Sequence, residues 1–331
     1  MSDVLSVGII GSGGIARSHI QAIKENDNIR LVAVMDVDQS RAESAAKDYG
    51  ARAYTSVDAL LNDPEVEAVH VCTPHVFHGE QVVSAAKAGK HVLVEKPMAL
   101  TLRECDEMIQ ACESEGKILM VGQVMRYYPV NRAIKKMIAE GIIGEVGHLM
   151  RRRYCYFDTT LPGSAYPRWY LDLKVGGNCV LYCFGPHEYD ILHWYLDSPV
   201  VEVYAQGSAS TELYKGQKDS YTSIMKHKNG ATSVLSQTVV SHVGAHDQYI
   251  IGSKGSIFLS SDKLLMNGKE VNIEGSSGEG MRNQIHEFAD CCLKGRQPDA
   301  NGKSVRHTMA VIKATKQSAE RNKPVLVSEL D

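Results

Sequence analysis

Short apolar, β-branched runs recur along the first third of the chain, and each ends in a polar or glycine-bearing loop that opens into helical periodicity. The runs over 4–10, 29–35, 66–71, 91–94 and 118–121 predict strands. Val92-Leu93-Val94 is apolar at every position, the pattern of a parallel strand covered on both faces. Between the runs, the spacing predicts a helix through about residue 23, one over 78–88 closed by Gly89, and one over 102–115. Repeated strand-loop-helix units build a doubly wound parallel α/β sheet.

The pattern changes after Gly122. An amphipathic helix is predicted over 130–140, then a long strand over 144–156 and a connection over 157–177 rich in aromatic and charged residues. The segment CVLYCFGPHEYDILHWYL, 179–196, reads as a helix whose polar face carries Cys179, Cys183, His187 and Asp190. Strands over 200–206, 221–226, 231–240, 246–252 and 256–259 follow, separated by turns such as Asn229-Gly230, a strong hairpin signal. Helices over 284–293 and 305–320 and a short strand over 324–327 close the chain. The strands predict an open antiparallel sheet with one face on helices and a second face that needs cover, so self-association is expected.

Composition sets the bounds. A chain of 331 residues with 44% hydrophobic content supports two cores, placed in domains 1–123 and 124–331. A net charge of −3 argues against nucleic acid or an anionic membrane as partner. No apolar run reaches the roughly 18 residues that span a bilayer. Eight irregularly spaced cysteines, with no signal peptide ahead of Val7, fit a reducing cytoplasm.

The first strand runs directly into Gly11-Ser12-Gly13-Gly14-Ile15-Ala16, a GxGxxA turn opening a helix. Gly11 permits the tight turn, Gly13 lets backbone N–H groups approach a pyrophosphate, and Ala16 allows close packing of helix on sheet. The second strand ends at Asp36, about 20 residues on, where a carboxylate holds a ribose hydroxyl. Asp36 would repel a 2′-phosphate and Asp38 adds a second negative charge, so NAD is favoured over NADP. Arg41 could pair a phosphate or be a solvated helix charge. Cys72-Thr73-Pro74 closes the next strand, and Thr73, Pro74 and His78 would lie along the cofactor, unless His75 and His78 simply open the following helix; the strand 91–94 delivers Glu95, Lys96 and Pro97 into a loop at its carboxyl end, where ligands bind in open α/β sheets.

In the second domain Tyr154, Tyr166, Trp169 and Tyr170 are candidates for the C–H faces of a sugar, or simply pack the long connection. His187 is the acid-base candidate, with Cys183 one turn before it. Cys179, Cys183, His187 and His193 could also be read as metal ligands, but helical cysteines without a CxxC pair are more often packing residues, and no metal is assigned. Alternate residues of a strand point to opposite faces, so at most part of Arg151-Arg152-Arg153 shares one site.

The GxGxxA turn, the acidic end of the second strand, the CTP loop and EKP at these separations resemble the Gfo/Idh/MocA family of glucose-fructose oxidoreductase and inositol dehydrogenase-like enzymes, across essentially the whole chain. The resemblance implies an N-terminal Rossmann domain and a C-terminal α+β domain with an open, mostly antiparallel sheet. It also implies NAD(P)-dependent chemistry on a sugar or cyclitol and a homodimer or homotetramer formed through that sheet. Lys96 then holds the reacting hydroxyl, Pro97 shapes the loop below the nicotinamide, and Gly185, His187 and Asp190 match a GxHxxD segment. Arg126 belongs to the same pattern, at the cofactor or in a structural salt bridge.

One departure stands out. Many members carry Asp four residues before the histidine, and this chain has Cys183, which orients an imidazole poorly. Altered specificity, heavier reliance on Lys96, or a non-catalytic NAD-binding regulatory protein would each accommodate it. Another enzymatic reading is tightly held NAD that oxidises a sugar transiently, for aldose interconversion or glycoside elimination.

Overall fold

The structure, a computed structural model, describes residues 4–161, 164, 166–261 and 263–330; positions 162, 163 and 165 of the predicted connection lie outside it. By contacts the chain divides into Met1–Tyr127 with Gly278–Arg306, and Tyr128–Ser277 with His307–Asp331.

The first unit holds β1 (Leu5–Ile10), α1 (Gly14–Lys24), β2 (Ile29–Met35), α2 (Gln39–Ala46), β3 (Arg52–Tyr54), α3 (Val57–Leu61), β4 (Ala68–Val71), α4 (His78–Lys87), β5 (His91–Val94), α5 (Leu102–Ser114) and β6 (Leu119–Val121). The strands pair in parallel in the order β3-β2-β1-β4-β5-β6. This is the doubly wound Rossmann sheet expected, and the order reverses between β1 and β4, the switch point at which such folds bind ligands. β3 has no apolar run to announce it: Arg52 and Ala53 are exposed.

The second unit holds α6 (Pro129–Ala139), β7 (Val146–Tyr156), α7 (Gly185–Leu196), β8 (Val200–Ser208), β9 (Ser220–His227), β10 (Thr232–Thr238), β11 (Val240–Gly252), β12 (Ser256–Leu259), β13 (Leu264–Met266) and β14 (Lys269–Glu270). The chain then returns to the first unit in α8 (Gly280–Lys294), which packs on α1 and β1. There the Asn26 and Asn28 amides donate to the carbonyls of Arg282 and His286. The division falls within α9 (Gly302–Arg321) after Arg306, and β15 (Val325–Leu326) completes the second unit. Its sheet has nine strands in the order β14-β13-β12-β11-β7-β10-β9-β8-β15, antiparallel except where β10 meets β7.

The two faces of this sheet differ. α7 covers one, where Tyr189 meets Ser223 at 2.9 Å and Gln237 donates to Tyr189 at 3.2 Å. The other carries an apolar row in register across six strands: Tyr204, Ile224, Val234, Met150, Tyr249 and Phe258. Tyr204, Ile224, Met150 and Tyr249 are exposed.

The helix expected over 179–196 is two elements. Cys179–Phe184 is a π-helix and α7 begins at Gly185. Pro186 explains the break, because its nitrogen cannot donate to the carbonyl of Tyr182 and its ring crowds that carbonyl, so the preceding turn widens. The side chain of Asn178 caps this segment by accepting from the Leu181 N–H at 3.1 Å. The eight cysteines are free thiols, and among the described residues no helix is long and apolar enough to cross a membrane.

Candidate functional site

Gly11 turns the chain from β1 into α1 with a φ of +90°, and a Cβ there would stand 2.9 Å from the Cys72 carbonyl oxygen. Side chains at Gly13 and Gly14 would meet nothing within 4 Å, so open space lies before the first turn of α1, which has no acidic residue and no side-chain cap. A pyrophosphate fits that cradle. Ile15 is exposed beside it. Asp36 is fixed at the end of β2: Oδ2 accepts from the Ser12 N–H at 2.9 Å and its hydroxyl at 2.8 Å, and Oδ1 accepts from the Asp38 N–H at 3.0 Å. Burial alone would raise the Asp36 pKa, but these donors hold the carboxyl below its usual range. Arg41 leans on Asp38 at 3.5 Å on the surface.

The loops after β4 and β5 are tied together by α4. His78, fully buried, sets Nδ1 2.8 Å from the Pro97 carbonyl and Nε2 2.9 Å from the Thr73 carbonyl. Both acceptors are carbonyls, so the imidazolium bonds both and the neutral ring bonds one. Burial, and the nearby Lys96 charge, lower the His78 pKa, although the two carbonyls and Glu95 oppose them. His78 therefore stands behind the loop as a strut. Thr73 hydrogen-bonds Gln81 at 2.6 Å; Cys72 is buried and Pro74 half-buried. Lys96 is half-buried while Glu95 and Pro97 on either side are buried, so the loop is seated in the core around its one partly open residue. Arg126 is buried, with Nη1 on the Asp299 carbonyl at 2.7 Å and the Ser304 hydroxyl at 3.2 Å, the geometry of a structural anchor to the start of α9 and the residue-299 segment before it.

In the second unit His187 stands half-buried in the first turn of α7. Glu188, fully buried, takes Arg151 Nε at 2.5 Å and Arg153 Nε at 3.1 Å, and lies 3.6 Å from His246. Burial would raise its pKa, yet Arg151, His246 and Arg153 hold it far below the carboxylate range. Arg152, one residue out of phase, points to the opposite face and pairs with Asp247 at 2.5 Å. Tyr154 shares the Arg152 face, bonded to Ser236 at 3.0 Å and lining a cavity of about 500 Å³ with Arg152, Val243 and Asp247. The strand's alternation thus separates Tyr154 from the α7 face; Arg153 and Cys155 occupy that side of β7 instead, Arg153 with its guanidinium 4.1 Å over the Phe184 ring.

The aromatic connection joins this face. Phe157 contacts Tyr166, Tyr170 and Phe184 at ring distances of 4.6, 5.9 and 5.0 Å, and Trp169 meets Tyr170 edge-on at 4.4 Å. Cys183 is buried in the π-helix. Asp190 is engaged below, accepting from the Thr308 hydroxyl at 2.7 Å, which also lies 2.9 Å from His193. Among the described residues no group of three or more His, Cys, Asp and Glu could hold a metal ion. Sequence reasoning missed Arg153 as part of the α7 face, and Glu188 altogether.

The oxidoreductase family model with the NAD-binding Rossmann fold, Gfo/Idh/MocA, matches residues 5–123, and the family's C-terminal domain model matches residues 131–258. The chain belongs to the Gfo/Idh/MocA oxidoreductase family. It is an enzyme of the NAD-dependent dehydrogenase and reductase type. Two relatives match this Gfo/Idh/MocA member over nearly its full length. Myo-inositol 2-dehydrogenase of Thermotoga maritima is 28% identical, covering 98% of this chain and 99% of its own, and 1,5-anhydro-D-fructose reductase of Ensifer adhaerens is 27% identical, covering 95% and 97%. The solved structure of levoglucosan dehydrogenase with NADH and levoglucosan shares the fold, with a TM-score of 0.88, 23% identity and coverage of 98% and 99%.

Proposed function

We propose that this enzyme transfers a hydride between NAD and a secondary alcohol of a sugar, sugar derivative or cyclitol. The observation that carries the reading is the seating of Lys96 at the carboxyl end of β5, half-buried between buried neighbours, in the same sheet edge as the NAD cradle. The named relatives support the substrate class, since inositol and an anhydrosugar both present ring hydroxyls or the matching ketone. Lys96 holds the reacting oxygen and stabilises the negative charge that builds on it. His187 takes the hydroxyl proton, as an imidazole suits near neutral pH. NAD, when bound, supplies the hydride acceptor. Trp169, Tyr170 and Tyr166 offer ring faces to the sugar, and Arg153 a donor beside them.

The test is an absorbance screen for NADH formation over inositols, monosaccharides and anhydrosugars, followed by Lys96→Met and His187→Ala. Each substitution is expected to lower kcat by about 100-fold or more. Full turnover by both variants sinks the assignment. The apolar row across the exposed sheet face further supports a homodimer or homotetramer through that face; a monomeric mass by light scattering at micromolar concentration would refute it.

A further inference from the structure

The loop that carries Lys96 is fastened from below by a histidine outside the cofactor fingerprint. His19, in the second turn of α1, is 0% exposed. Its Nε2 lies 2.9 Å from Glu95 Oε1 and its Nδ1 lies 3.1 Å from Nδ1 of His70 in β4. The other oxygen of Glu95 accepts the Lys96 backbone N–H at 3.2 Å. Gly122, just past β6, closes over the same carboxylate so tightly that a Cβ there would meet Oε1 at 2.7 Å. A continuous set of contacts therefore runs from the helix that opens at the pyrophosphate cradle to the first atom of Lys96.

Proton bookkeeping constrains this chain. A carboxylate only accepts, so His19 Nε2 carries a proton. Between the two facing Nδ1 atoms one donates. If His19 holds a second proton, it donates to His70, whose own proton then sits on Nε2, an atom with no hydrogen-bond partner. If His19 is neutral, His70 donates. The titratable groups facing His19 are Cys72, Glu95 and His70, all buried. Burial opposes a charge on His19, yet Cys72 and Glu95 outweigh it and lift its pKa to about 10. Burial, and the His19 charge, press His70 well below its ordinary value.

We propose that His19 is a positioning residue for Lys96: as an imidazolium paired with Glu95, it fixes the carboxylate that holds the Lys96 N–H and so sets where the ammonium stands. Without that charge the buried carboxylate would lose the partner that fixes it, and the Lys96 N–H would lose a fixed acceptor. The inference rests on Lys96 being the catalytic lysine.

The experiment uses the full chain, labelled for NMR, with His19→Gln, which keeps a donor without the charge, and His19→Phe, which removes both. At about pH 8, well above the ~6.5 of an ordinary histidine, both His19 ring nitrogens are expected to read as protonated. The Lys96 amide resonance should move in H19Q and further in H19F. On the alcohol found by the screen, kcat should fall about 10-fold in H19Q and about 100-fold in H19F, while KM for NAD stays within about twofold. A neutral His19, or a Lys96 amide unmoved in a folded H19F, overturns the proposal whether or not a substrate is known; H19Q serves should H19F not fold. Amide shifts as expected, with no alcohol oxidised or reduced even by the wild type, support the positional link and sink the reading of Lys96 as catalytic.

Discussion

Each candidate catalytic side chain sits next in sequence to a buried carboxylate, Glu95 before Lys96 and Glu188 after His187, but the two carboxylates are neutralised differently. Glu95 faces a histidine, a partner that can give up its proton. Glu188 faces two guanidiniums, which cannot, with His246 farther off at 3.6 Å. The first arrangement is tunable by pH and starts from the helix that opens at the Gly11–Gly14 turn; the second keeps its two guanidiniums at any pH and braces the root of α7. Two buried ion pairs of similar geometry thus have different failure modes.

Removing the fixed brace should cost most. Glu188→Ala leaves Arg151 buried and Arg153 part-buried without their counter-charge, and we expect a loss of about 3–5 kcal/mol, read as a lower denaturant midpoint by a probe in the second unit. A change under about 1 kcal/mol would mean that the guanidiniums find other partners.

Alkali should separate the two units next. A histidine pKa raised by folding adds stability that is complete below ~6.5 and is lost as pH climbs through about 10. The depressed Glu188 carboxyl adds stability that is complete above ~4.5 and is lost only in acid. Between about pH 7 and 10, amide exchange in α1, corrected for its intrinsic rate, should therefore quicken at least about tenfold while α7 holds. Equal quickening in both helices would erase the distinction. The smallest effect belongs to the outward pair: Arg152→Ala breaks a partly exposed contact with Asp247 and should cost about 0–1 kcal/mol in the same denaturation. A loss as large as that of E188A would show that the two faces of β7 are not energetically distinct.

What could be read from the sequence divides along similar lines. The glycine turn after β1 and the loop that carries Lys96 were legible because glycine spacing, strand ends and prolines constrain local backbone, and the doubly wound sheet follows from the same short runs. The charge pairs were not, because their partners are 76 residues apart for His19 and Glu95 and 37 for Arg151 and Glu188. A trace was still visible. Ala16, His19, Ile20 and Ile23 form the buried stripe of α1, and a histidine inside an apolar stripe requires a buried partner. On β7, alternation puts Arg152 and Tyr154 on one face and Arg151 and Arg153 on the other, but only the contacts with Glu188 show which of the two faces meets α7. The split of 179–196 escaped helical periodicity, which assumes one turn size throughout.

That split makes the length of the segment before α7 a matter of angular phase. A π turn holds one residue more than an α turn, so deleting a single residue between Cys179 and Phe184 would let the stretch rewind as ordinary helix. The Asn178 anchor would then keep nearly its present angle to His187, whereas the same residues wound as ordinary helix without a deletion would turn it by about 100°, roughly the arc of one residue. The wide turn thus absorbs the extra residue, and its width sets which way the histidine faces.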